Sequence, residues 1–121
     1  MNILHVYRTY FPDTQGGLEE VIRQICATTA ELGATSRVFT TSENPSNNPL
    51  TLEECEVHQH FSNFELASCN VSIQALRKFR ESDEWADVVH YHFPWPFADL
   101  LSITSKTDTP SVVTYHSDIV R

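Results

Sequence analysis

Apolar positions along this chain switch repeatedly between the spacing of a strand and that of a helix. Ile3, Leu4, Val6 and Tyr7 make a run of the length of a strand buried on both faces. Arg8 to Gln15 is polar, carries Pro12 and reads as a loop. Leu18, Val21, Ile22, Ile25, Cys26 and Thr29 then recur on one helical face, and Gly33 stands where helices commonly end. Ser36 to Thr41 is rich in β-branched and aromatic residues and predicts a second strand. Residues 42–52 concentrate Asn and Pro and read as a surface loop, and Glu56 to Phe61 predicts a short third strand near an edge. After an irregular stretch, Val71, Ala75, Leu76 and Phe79 predict a helix ending near Ser82. Asp87 to Phe93 predicts a strand, Pro96 opens a helix through Leu100 and Ile103, and Pro110 introduces a fifth strand over Ser111 to His116.

Strands separated by helices of this length require a parallel sheet with right-handed crossovers, so the fold class is α/β, a Rossmann-like doubly wound parallel sheet. Ligands bind such sheets outside the C-terminal strand ends, where strand order reverses. Here that is between the first and fourth predicted strands, which directs attention to Arg8–Gly17, His92–Trp95 and His116–Asp118.

At 121 residues the chain is one domain, with no interdomain linker or internal repeat. A formal net charge of −8, with no basic run longer than Arg77-Lys78, excludes nucleic acid as an expected partner. No segment approaches the roughly 18 apolar residues of a membrane span, and no leader pattern precedes the first strand. The expected location is cytoplasmic, with the inner face of a membrane as the variant. Cys26, Cys55 and Cys69 are odd in number and widely spaced, which fits reduced thiols.

Gly16 and Gly17 stand between the first strand and its helix. Glycine there admits positive φ and close approach of a ligand, and the helix N-terminus favours an anionic group. The plain alternative is a tight turn that binds nothing. His90 and His92 share a strand face, as do His58 and His60. With His116 as a third ligand the first pair raises metal ligation, but hydrogen bonding of His92 and His116 to a polar ligand is the favoured reading. His5 reads as a satisfied core residue, His58 and His60 as structural or solvated. Trp95 is a stacking platform or a hydrophobic plug. Neither a Ser–His–Asp triad nor a cysteine nucleophile can be assigned.

The segments Met1–Val6 leading into Phe11-Pro12 and Gly16-Gly17-Leu18-Glu19, then Asp87–His92, then Val113–Asp118 resemble the N-terminal domain of GT-B fold retaining glycosyltransferases of family 4. The likeness runs along nearly the whole chain except residues 42–70. It implies transfer of a sugar from a nucleotide-sugar donor to a saccharide or lipid-linked acceptor, with retention, without a metal ion and without a cofactor. By the same resemblance Gly16, Gly17 and His116 lie on the donor or sugar side, while Arg8, His92 and Asp118 lie on the acceptor side. The family's second domain, with its nucleotide site and Glu-x7-Glu motif, has no counterpart here, so residues 1–121 are expected to be an incomplete N-terminal domain with no catalytic residue and no transfer activity alone. The rival functions are a stand-alone small-anion module and a His-based metallohydrolase. Peripheral membrane association and self-association through an exposed sheet edge are the remaining partner expectations.

Overall fold

The computed structural model describes residues 1–66, 69–104 and 108–116, and of Leu66 and Cys69 only the backbone. The elements are β1 (Asn2–Val6), α1 (Gly17–Glu31), β2 (Thr35–Ser42), β3 (Leu50–Thr51), β4 (Glu56–Phe61), β5 (Phe64–Leu66), β6 (Cys69–Val71), α2 (Ile73–Trp85), β7 (Val88–Phe93), α3 (Phe97–Thr104) and β8 (Ser111–Tyr115). Six strands form one sheet in the order β3-β4-β2-β1-β7-β8, and β5 pairs with β6 in a separate hairpin. All pairings in the large sheet are parallel except β3 with β4. The order reverses between β1 and β7, as the element pattern requires.

Three local readings are corrected. The Asn- and Pro-rich loop after β2 contains β3, which covers the outer side of β4 and leaves β4 second from the edge. The irregular stretch after Ser62 is the hairpin, whose register sets Phe64 against Val71. The second helix runs to Trp85, because Ser82 and Asp83 are buried and continue its packing face. Ser72 opens that helix by accepting from the Ala75 amide at 3.0 Å, a cap the sequence pattern had left unused.

Register partners in parallel strands share a face, and the two faces differ. Leu4, Val6, Phe39, Val89 and Tyr91 meet α2, whose buried Phe79 packs edge-on against Phe39 with centroids 5.1 Å apart. The opposite face presents His5, Val38 and His90 in one row. There α1 lays Cys26 against His5. The neighbouring thiol of Cys55, and then His5, make Cys26 the more acidic of this pair of free thiols.

His58 and His60 fall on the α2 face. His60 is buried against Phe39 and its Nδ1 bonds the Thr40 carbonyl at 2.9 Å, a structural role. Burial pushes its pKa down to about 4. The unfolded chain therefore takes up a proton more readily, so this stability is present above pH 6.5 and is lost as pH falls toward 4. Between pH 7.5 and 5 the group should remove about 2 kcal/mol. Urea midpoints of the chain and of His60→Phe check this; an equal pH dependence in the variant would refute the assignment.

Candidate functional site

The C-terminal ends of β1, β2, β7 and β8 open onto one edge of the sheet. The turn after β1 is organised by Glu19, on the first turn of α1 and only 6% exposed. Its carboxylate accepts from Thr9 at 2.8 Å and from Thr14. A Cβ on Gly16 would stand 2.7 Å from Glu19 Oε1, whereas Gly17 faces open space. Gly16 has φ −81, so positive φ plays no part; the glycine is required by the carboxylate folded back over it. Among the described residues no side-chain cap bonds the start of this helix, which leaves its first amides available to a ligand. Gly16→Ala should cost about 1–2 kcal/mol by displacing a buried, doubly bonded carboxylate. Gly17→Ala should stabilise by about 0.5–1 kcal/mol through helix propensity. Thermal midpoints of the pair decide this, and equal shifts would rule out the Glu19 contact as the cause.

Arg8 leaves β1 on the β2 side. Its carbonyl accepts from Thr41 Oγ1 at 2.6 Å, its guanidinium lies 5.8 Å from the Tyr7 ring centroid, and its Nη1 donates to Asn70 Oδ1 at 3.3 Å. Asn70 is fixed in turn, because buried Trp95 donates to its carbonyl at 2.9 Å. Trp95 is therefore a plug that also holds the hairpin, not a stacking platform. A cleft of about 510 Å³ opens here, lined by Arg8, Asp13, Thr14, Ser42, Glu65 and Asn70 among others. One cation among several carboxylates and hydroxyls suits a neutral, hydroxyl-rich ligand better than an anion.

On the β7 and β8 side the histidines converge. His92 is fully buried, with its Nε2 3.0 Å from His5 Nδ1 and its Nδ1 3.1 Å from His116 Nε2. His90 stacks on His92 with centroids 4.0 Å apart and bonds Thr114 Oγ1 through Nε2 at 2.7 Å. Burial, reinforced by the neighbouring rings, pushes His92 down to about 2, and burial pushes His90 down to about 4 and His116 below its ordinary value. A neutral His92 carries one ring proton, so it must donate at one end and accept at the other. The two hydrogen bonds therefore share one direction. When His92 donates to His116 the outer Nδ1 of His116 carries a proton, and when the direction inverts that nitrogen is an acceptor.

The site residues expected from the sequence thus divide. Arg8 lines the cleft beside the helix turn of Gly16 and Gly17. His116, half-buried, stands at the end of β8, and fully buried His92 bonds to it. Asp118 lies outside the described residues. Sequence reasoning missed His5 as a member of the histidine row, although its register with His90 follows once β1 and β7 are known to be neighbours. It also gave no site role to Glu19, Ser42 and Asn70.

The architecture is that of the N-terminal Rossmann-like domain of GT-B glycosyltransferases. Sucrose-phosphate synthase from Thermosynechococcus elongatus superposes with a TM-score of 0.66 over 96% of this chain and 33% of its own, at 15% identity. Residues 15–121 match the family described as Glycosyltransferase Family 4, and the chain belongs to that family. It is 43% identical over all 121 residues to the O-antigen chain mannosyltransferase C of Escherichia coli and 43% identical to the D-rhamnosyltransferase WbpZ of Pseudomonas aeruginosa. It spans about a third of the length of each, 33% and 32%. Among the described residues no helix is long and apolar enough to cross a membrane.

Proposed function

We propose that residues 1–121 form the acceptor-side part of a glycosyltransferase that moves a sugar from a nucleotide-sugar to a glycan acceptor with retention. The observation that carries this reading is the cleft beside Arg8, polar, hydroxyl-lined and set at the strand ends next to the uncapped start of α1. Arg8 and the cleft take the acceptor, the Gly16–Gly17 turn faces the donor phosphates, and His116 contacts the transferred sugar through its outer ring nitrogen. Asp118 remains an acceptor-side residue of the proposal by resemblance alone. The transfer step itself uses no metal and no cofactor.

The balance of charge in the cleft favours an uncharged saccharide terminus over a phosphorylated one. Identity of 43% to both a mannosyl- and a rhamnosyltransferase does not choose the donor sugar. Nucleotide binding and transition-state electrostatics belong to the remaining length of such an enzyme. The strand β8 leaves Val112, Val113 and Tyr115 exposed at 48%, 58% and 71%. Further chain of the relatives' length is the occupant proposed for that surface, in place of a second copy.

The test is a transfer assay with labelled nucleotide-sugars on the 121 residues and on a protein extending them to the relatives' length. Transfer by the longer protein alone is expected. Transfer by the short chain would overturn the division of labour, and tight nucleotide binding by the short chain would favour an anion-binding module. A concentration-dependent dimer of the longer protein would place a second copy on β8.

A further inference from the structure

The row of imidazoles on the α1 face is not accounted for by hydrogen bonding alone. Three of them, His5, His90 and His92, each offer a ligand atom within 4.8 Å of the others. His5 and His92 are fully buried, and the contact of His5 Nδ1 with His92 Nε2 at 3.0 Å is the hydrogen bond recorded within this trio among the described residues. We infer that His5, His90 and His92 form a binding site for a divalent transition metal of the zinc class, structural in role and separate from sugar transfer.

The backbone supplies the convergence. His5 and His90 are register partners on adjacent parallel strands, and His92 is the next residue on the same face of β7. Three imidazoles are thus carried on rigid neighbouring strands instead of loops. In a tetrahedral zinc site with bonds of about 2.0–2.1 Å, ligand nitrogens stand about 3.3 Å apart. His5 Nδ1 and His92 Nε2 are already 3.0 Å apart, so the metal would enter between them with a small opening of that pair. His90 has Nε2 engaged by Thr114, which leaves Nδ1 to ligate. The partners that orient metal-bound imidazoles are also present: His116 for the second nitrogen of His92, and the Thr114 hydroxyl for that of His90. The half-buried edge of His90 provides the approach from solvent. A nitrogen donor set suits zinc, and excludes calcium and magnesium, which take oxygen.

Occupancy would have one consequence for the neighbouring site. With Nε2 of His92 on the metal, its proton must reside on Nδ1 and be donated to His116. That fixes the outer nitrogen of His116 as a donor.

The experiment uses the 121-residue chain, freed of metal by chelation and titrated with zinc chloride by calorimetry, with long-range proton–nitrogen spectra of the imidazoles. The expected result is one zinc per chain, large shifts of one ring nitrogen in each of His5, His90 and His92, and none in His58. His90→Gln, chosen because it is half-buried, should weaken binding at least 100-fold, while His58→Gln should leave it unchanged. The spectra of the unsubstituted chain decide the matter even if a variant fails to fold. Zinc binding without shifts at these rings, or no stoichiometric binding, overturns the inference, and neither outcome bears on the glycosyltransferase reading.

Discussion

Trp95→Ala should lower the stability of the domain by about 3–5 kcal/mol, the range for removing a fully buried large aromatic side chain. A domain of this size has only about 5–15 kcal/mol to lose, so a large fraction of molecules would unfold at physiological temperature. Part of the cost is polar, because the indole N–H is the donor to the Asn70 carbonyl. Trp95→Phe separates the two contributions. It keeps most of the packing and removes the hydrogen bond, and should cost about 1–3 kcal/mol. Because Asn70 also receives Arg8, the phenylalanine variant of a full-length enzyme should show a raised KM for acceptor with little change in kcat. Urea midpoints and acceptor titrations measure the two effects. An unchanged KM would mean that Arg8 is positioned without the hairpin.

The second large effect falls on His116. In an enzyme of the relatives' length, His116→Ala should reduce kcat/KM by about 100-fold, the worth of a well-placed hydrogen bond to a polar substrate at nearly 3 kcal/mol. His116 lies on the half-exposed end of β8, so stability should change little. That contrast distinguishes a binding role from a structural one. His92→Phe acts through His116 by removing the bond that fixes its tautomer, and a smaller loss, about tenfold, is expected. An unchanged kcat/KM for donor in His116→Ala, measured at limiting donor, would remove this residue from the site.

Where hydrophobic periodicity ran for a full strand or helix, the sequence located the element within one to three residues. β1, β2, β7 and α1 were legible because buried strands and an amphipathic helix leave opposite signatures. The position of the crevice followed from the order of those elements alone. Two-residue β3 and the hairpin were not legible. Elements of two or three residues have no period, and their pairing is decided by partners distant in the sequence. Glu19 was legible only as a member of the Gly16-Gly17-Leu18-Glu19 segment, while its main structural effect, occupying the space over Gly16, depends on Thr9 and Thr14 folding toward it. His5 illustrates the same limit. Alone in β1 it is one buried histidine, and only the parallel pairing of β1 with β7 makes it the neighbour of His90. The resemblance to family 4 glycosyltransferases carried the functional expectation, and the family match bears out the membership on which that expectation rests.

The central position of β1 also governs how the chain folds. This strand is flanked on one side by β2 and on the other by β7, which is synthesised later, and Asn2 closes onto Asp87, 85 residues away. At synthesis rates of about 5–20 residues per second, β1 waits roughly 4–17 s for that second neighbour to be made. During this interval a strand built of Ile3, Leu4 and Val6 has one open hydrogen-bonding side. Such non-local pairing is slow even in a complete chain. Until β7 is made, β1 therefore presents an open strand edge that a chaperone could cover.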